Sequence, residues 1–131
     1  IATKSVDAVE ELAIAEWMGA SPVYTRRMRS LVGIEGDGVG AIMKALQLDV
    51  GFPHEYMDVR FRVDDAGYAE FWLNHCGALL DVEPRGERGV VMMCHRIEDP
   101  TFDATAVATN PRARMRPVHR PPRVPADRHP H

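Results

Sequence analysis

The chain has 131 residues, 45% of them hydrophobic and 27% charged, and a net charge of -3, which is typical of one soluble globular domain. No apolar run approaches the roughly 20 residues of a membrane-spanning helix, which argues against an integral membrane protein. No secretory signal is recognised, so we expect a cytoplasmic, reducing location in which Cys76 and Cys94 remain free thiols.

Charge is unevenly distributed along the chain. Residues 1–106 carry a net charge of -8, whereas residues 107–131 carry six arginines, one acid and a net charge of +5. We therefore expect a single domain over residues 1–118 and an extended, basic, proline-rich arm over residues 119–131, lying on the acidic body or on a partner. The basic end lacks aromatic residues for base stacking other than histidine, so we expect no nucleic-acid partner.

The first elements are predicted to be helices. Asp7 followed by Glu10 fits a capping box, and Gly19 is expected to end that helix. The apolar residues at helical spacing are Val6, Val9, Ala13 and Trp17.

Two more helices are predicted before position 50. Ser21-Pro22 fits an N-cap followed by proline at the first helical position, which would begin a second helix. Asp37 is expected to cap a third. The apolar positions of that third helix are Val39, Ile42, Met43 and Leu46.

The hydrophobic period then changes from helix to strand. Residues 56–63 alternate apolar and polar side chains, which predicts a half-buried strand. A short helix is expected to begin at Asp64-Asp65 and to end at Gly77. Strands are predicted over residues 78–83 and 89–97, around an intervening turn.

The order of these elements predicts an α+β fold. After one more helical turn through Ala106, residues 112–118 alternate loosely, as a last strand would. Helices that precede strands favour N-terminal helices packed on a small antiparallel or mixed sheet.

Gly36, Gly38 and Ala41 match the G-x-G-x-x-A pattern of a dinucleotide-binding loop. Residues 30–35, immediately before it, make a poor strand, and the chain has no room for a doubly wound sheet. We therefore expect only a loop that leads into a helix.

Two thiol–imidazole pairs are candidates for chemistry: His75-Cys76 and Cys94-His95. Thiolates and imidazoles bind zinc or iron, and His119 is a further candidate ligand. Alternatively, one thiol is a nucleophile with a histidine as its base. The remaining alternative is that both thiols are buried apolar groups of the core.

An anion-binding face is predicted from arginines that alternate along two strands. Arg60 and Arg62 share one face of the first strand, and Arg112, Arg114 and Arg116 share one face of the last. If these strands are neighbours, the guanidinium groups are placed to bind a carboxylate or phosphate. The alternative is ion pairing of these arginines with the chain's own acids, which are Asp58, Glu70 and Glu83.

The segment 57–103 carries a resemblance to a known family. A predicted strand leads into a predicted short helix that ends in Cys76, and a Leu/Glu-rich link leads to a predicted strand that ends in Cys94, with Asp99 shortly after. This arrangement is similar to the L-2-amino-thiazoline-4-carboxylic acid hydrolase-like family. The resemblance implies an α+β domain that opens a small heterocyclic carboxylate by hydrolysis, with Cys76, Cys94 and Asp99 in the site.

Two hypotheses for function follow. The first is a small-molecule hydrolase-like domain in which Cys76, Cys94 and His95 line a pocket, with or without a metal ion, and Arg60 or Arg62 holds the substrate carboxylate. The second is a non-catalytic ligand-binding or assembly module whose basic arm docks on a partner subunit or on a second copy of the chain.

Overall fold

A computed structural model describes residues 5–65 and 67–123. Its elements in order are α1 (Val6–Val32), α2 (Val39–Gln47), β1 (Met57–Val63), β2 (Ala69–Cys76), α3 (Gly77–Val82), a 3-10 turn (Glu83–Arg85), α4 (Glu87–Val91), a π-helical segment (Met92–Ile97) and α5 (Glu98–Thr109). The two strands form an antiparallel sheet. Helices packed with a small antiparallel sheet confirm the α+β class.

Helix α1 runs without a break through Gly19, so the prediction of two separate helices is wrong. Its N-cap is Ser5, whose hydroxyl accepts a hydrogen bond from the backbone N–H of Ala8 at 3.2 Å. The predicted capping box at Asp7 therefore does not start the helix. Pro22 lies inside the helix, where it has no N–H to donate to the preceding turn. Packing against α5 and the π-helical segment holds α1 together across this defect.

Among the described helices, α2 has the largest fraction of buried residues. Its N-cap is Gly38 and not Asp37, and Gly36 adopts a left-handed φ of 81°, so the glycine-rich segment is a loop that leads into a helix, as expected. The buried residues of α2 are Ala41, Ile42, Met43, Ala45 and Leu46.

The strand predicted at 56–63 is confirmed as β1, but the helix predicted from Asp64 to Gly77 is wrong, because that segment forms β2. The side chain of Asp65 accepts a hydrogen bond from the N–H of Gly67 at 2.6 Å, and the N–H of Asp64 donates to the carbonyl of Tyr68 at 3.1 Å. These contacts turn the chain back along β1, since an Asx turn reverses direction within a few residues.

The strands predicted over 78–83 and 89–97 are helical. Helices α4 and α5 and the π-helical segment between them follow one another directly, and we call this stretch, residues 87–109, the C-terminal helix. Val90, Cys94 and Ile97 are buried at the i, i+4, i+7 spacing of a helix. Pro100 has no N–H to donate to the preceding turn, which includes the end of the π-helical segment.

Residues 110–123, which we call the strap, cross the surface of the body in irregular conformation, so the strand predicted over 112–118 is absent from it. Ala113 and Met115 pack against the core, and the N–H of Met115 donates to Oδ1 of Asp103 at 2.8 Å. The predicted arm, 119–131, is described only through Arg123, where it lies on the body; its remainder falls outside the described residues.

The core joins the helices to one face of the hairpin. Leu46 and Leu79 are each 1% exposed, and the rings of Phe52, Phe71 and Phe102 contact one another with centroids 5.2 to 6.3 Å apart. In the part of the chain that the structure describes, no helix has both the length and the apolar character needed to cross a membrane.

Candidate functional site

A β-bulge directs Cys76 into the core. Val59 of β1 pairs with Leu73, but Asp58 pairs with His75, so Asn74 is an extra residue on β2. Because of this extra residue, Leu73 and Cys76 are both buried, whereas Asn74 and His75 are exposed. The bulge therefore places Cys76, and not His75, on the buried face of β2.

Cys76 also joins the hairpin to the next helix. Its Sγ accepts a hydrogen bond from the backbone N–H of Leu79 at 3.4 Å and so caps α3. The N–H of Gly77 donates to the carbonyl of Tyr56 at 2.8 Å, and the ring of Tyr56 occupies the space that a Cβ at position 77 would need. The position of the thiol is thus fixed by β2 and by the first turn of α3.

Cys94 and Glu98 reach the same place from the C-terminal helix. Cys94 lies in the π-helical segment and Glu98 follows four residues later at the start of α5. Cys76 and Cys94 belong to one buried cluster, each 6% exposed, and the carboxylate of Glu98 interacts electrostatically with both thiols. We call Cys76, Cys94 and Glu98 the thiol–carboxyl cluster.

Burial keeps both thiols neutral. It raises the pKa of Cys94 to about 12, with a further contribution from the negative charge of Glu98. Burial also raises the pKa of Cys76, although the N–H of Leu79 and the Arg123 guanidinium act in the opposite direction. A nucleophilic cysteine needs a lowered pKa, so the environment of Cys94 is the reverse of the one that activates a thiol.

Glu98, the third member of the cluster, has a pKa that is shifted toward neutral pH. Burial, together with the neighbouring charge of Asp99, raises the pKa of Glu98 to about 7. A carboxyl group with a pKa near neutrality exchanges protons readily at physiological pH. Glu98 is therefore the member of the cluster suited to acid–base chemistry.

The strap covers this region and brings basic groups to it. Arg123 donates to both carboxylate oxygens of Glu83, its Nε at 2.7 Å from Oε1, and Arg120 pairs with Asp99. The ring of His95 hydrogen-bonds the carbonyl of the buried Pro121. The strap is therefore held on the C-terminal helix at His95 and Asp99 and on the preceding 3-10 turn at Glu83.

The predicted metal ligands are not gathered at one point. His75 is exposed on β2, His95 is directed to the strap, and His119 is exposed on the strap itself. Over residues 5–65 and 67–123, no group of three or more histidine, cysteine, aspartate or glutamate side chains is arranged to hold a metal ion.

The predicted arginine face is divided among separate contacts. Arg60 pairs with Asp58 at 2.7 Å, and Arg62 pairs with Asp64 at 2.6 Å and with Glu70 at 3.2 Å. Arg114 lies on the strap, where Nη1 donates to backbone carbonyls. A shared anion site formed by two adjacent strands is not present, because the second strand does not form.

Among the functional candidates, Glu98 is the one that sequence reasoning missed. The family resemblance implies Asp99 instead, but its carboxylate pairs with Arg120 and its side chain is 33% exposed. The signal was the i, i+4 spacing of Cys94 and Glu98, which places both side chains on one helical face. The spacing has this meaning in a helix but not in the strand predicted over residues 89–97.

Comparison of the chain with protein-family models, curated proteins and solved structures gives no match. The resemblance to the thiazoline-carboxylate hydrolases accordingly stays a prediction.

Proposed function

We propose that this chain is a hydrolase-like domain that adds water to a small carboxylate-bearing substrate, with Glu98 as the general base. The observation that carries the proposal is the thiol–carboxyl cluster: a largely buried carboxyl group with a pKa of about 7 whose charge acts on two buried, neutral thiols. A titratable group with a strongly shifted pKa, next to a π-helical segment, is typical of functional sites.

The chemistry assigned to Glu98 is proton transfer to and from water. Ionised Glu98 takes a proton from a water molecule as the water oxygen bonds to the carbon of a C=N or C=O group, and the electron pair of that double bond moves to its heteroatom. The double bond then re-forms, the ring heteroatom leaves with its bonding pair, and protonated Glu98 returns the proton to it. One water is consumed and Glu98 is regenerated.

The strap is the proposed substrate-binding element. Arg120 and Arg123, whose side chains are 44% and 46% exposed, pair with Asp99 and Glu83 through their guanidinium groups. A substrate carboxylate can replace one of these partners, because arginine binds carboxylates through paired hydrogen bonds. In this account Arg120 or Arg123, and not Arg60 or Arg62, holds the substrate.

The thiols in this proposal line the site and do not attack. Neutral thiols and an apolar surrounding keep the dielectric low around Glu98, which maintains its high pKa. A zinc or iron ion, which the sequence led us to consider, would instead require deprotonated thiols. Free buried thiols fit the cytoplasmic location expected from the sequence.

The alternative function, docking through the basic arm, is less well supported by the strap. Arg116, Arg120 and Arg123 each pair with a carboxylate of the chain's own body. An arm that already neutralises its own domain offers less charge to a partner. We therefore interpret residues 110–123 as a clasp.

The test uses a matched pair of neighbouring acids. Purified chain is incubated with 2-aminothiazoline-4-carboxylate, and mass spectrometry follows a product heavier by one water. Removing a general base lowers a rate by roughly a hundredfold or more, so we expect that loss for Glu98→Gln. Asp99→Asn makes the same change in charge one residue away and should cost less than about tenfold.

Two outcomes would overturn the proposal. One is the absence of a hydrated product with the unmodified chain. The other is a Glu98→Gln variant that retains the unmodified rate while Asp99→Asn loses it, which would return the catalytic role to Asp99.

A further inference from the structure

A continuous exposed stripe runs along α1 on the side opposite the body. Its members are separated by alternating steps of three and four residues, so they share one face of the helix. We call them the outer stripe, and every one is exposed: Ser5, Val9, Leu12, Glu16, Gly19, Val23, Arg26 and Ser30.

The apolar members of the outer stripe are open to solvent. Val9 is 50% exposed, Leu12 56% and Val23 38%. The inward face of the same helix instead buries the polar residues Glu10, Ser21 and Thr25. A helix that buries polar groups against its own domain and exposes aliphatic ones presents an interaction surface.

The charged members of the outer stripe have no counter-charge among the residues that the structure describes. Glu16 and Arg26 form no ion pair or hydrogen bond with any residue in the described ranges. Neither has an opposite charge three or four residues away on α1. The acids of α1 all precede Trp17 and its arginines all follow Tyr24, so the two halves of the helix carry opposite charge.

The outer stripe is complementary to itself when two copies run antiparallel. Its central positions are symmetric about residue 21, so a single register places Glu16 opposite Arg26 and Gly19 opposite Val23. We propose that the occupant of this stripe is a second copy of the chain, whose α1 packs antiparallel on the first. Because such a two-fold interface is isologous, each of these pairs occurs twice.

Gly19 supplies space at the crossing point. A Cβ at this position would meet nothing within 4 Å in the part of the chain that the structure describes, so no contact there requires glycine. Glycine inside a helix costs about 0.5–1 kcal/mol relative to alanine. In the antiparallel pair, its missing side chain leaves a gap for the isopropyl group of Val23. This inference rests on α1 alone and is independent of the proposed hydrolysis.

The experiment is a charge-reversal cycle on the full chain, with dimerisation measured by sedimentation equilibrium over a range of concentrations. Glu16→Arg and Arg26→Glu each place like charges opposite each other twice per dimer, and we expect each to raise the dimer Kd by at least about tenfold. The combined variant E16R/R26E restores opposite charges and should return the Kd to within about threefold of the unmodified value.

Glu11→Arg is the matched control, because Glu11 is exposed on α1 but lies outside the outer stripe. It should leave the Kd nearly unchanged, and circular dichroism should show the same helical content for all variants. A chain that stays monomeric at every concentration would overturn the proposal, as would a dimer that neither single reversal weakens or that the combined variant fails to restore.

Discussion

Helices α1 and α2 pack on the same body but distribute their side chains in opposite ways. Helix α2 buries aliphatic residues and exposes Lys44, as an amphipathic helix of a globular domain does. Helix α1 buries Glu10 and Thr25 and leaves Leu31 80% exposed. The apolar residues of a helix therefore do not identify its inward face when part of the surface is available to another molecule.

The largest expected effect is the difference in free energy of unfolding between a Leu→Ala substitution in α2 and one in α1. Leu46 is 1% exposed and lies in the central cluster, so Leu46→Ala should lower the free energy of unfolding by about 2–5 kcal/mol. Leu31→Ala removes the same atoms from an exposed position and should change it by less than about 0.5 kcal/mol.

Urea denaturation of both variants at a concentration where the chain is monomeric measures this difference. Equal losses for the two leucines would mean that α1 buries its apolar residues within the single chain, and the contrast between the helices would be withdrawn.

A second expected effect is a pH dependence of the free energy of unfolding, which comes from Glu98. The pKa of Glu98 is about 7 in the folded chain against an ordinary value of 4.5, so the folded state binds more protons than the unfolded state between these pH values. Stability should therefore fall as the pH rises from 4.5 to 7. For Glu98 alone the loss is on the order of 3 kcal/mol, and the neutral variant Glu98→Gln should not show it.

The measurement is the free energy of unfolding across that pH window, as the difference between the unmodified chain and the variant. A difference that is constant with pH would contradict the buried environment assigned to Glu98.

A smaller effect is expected at the junction of the hairpin with α3. A Cβ at position 77 would lie 2.2 Å from the ring of Tyr56, so Gly77→Ala should cost about 1–3 kcal/mol. Gly89→Ala is the matched control, because its Cβ would meet only ordinary contacts at 3.5 Å, and helix propensity should make it neutral or stabilising by up to about 1 kcal/mol. Thermal unfolding of both variants tests the pair; equal melting temperatures would contradict the close packing.

The smallest expected change in stability comes from a substitution on the polar inward face of α1. Oγ1 of Thr25 donates to the carbonyl of Ser21 at 2.9 Å. Thr25→Val replaces that hydroxyl by a methyl group of the same shape, so stability should change by less than about 1 kcal/mol. A loss above about 2 kcal/mol, measured by urea denaturation, would show that the polar face of α1 stabilises the domain as strongly as the apolar face of α2 does.

The fold class was predictable, but several elements were assigned to the wrong type for a common reason. The alternation of β1 and the helical spacing of α2 are strong periodic signals, and both elements formed as predicted. The run Val90 to Cys94 is apolar at nearly every position, and such a run has no period that separates a buried helix from a strand. The residues Tyr68 to His75 fit helical spacing, but pairing with β1 decides their conformation.

The candidate site was only partly predictable. The two cysteines belong to one buried cluster, because a bulge at Asn74 turns one inward and a helical face presents the other. A bulge leaves no mark in the hydrophobic pattern, so the exposure of His75 could not be inferred. Glu98 required the correct assignment of the C-terminal helix before its proximity to Cys94 had meaning.

The most direct test of the account is a nuclear magnetic resonance titration of the Glu98 side chain in carbon-13-labelled protein, with Glu98→Gln used to assign its carboxyl signal. The account predicts a midpoint near pH 7, set by burial beside two neutral thiols. A midpoint near the ordinary value of 4.5 would contradict it and would remove the basis for acid–base chemistry at the thiol–carboxyl cluster.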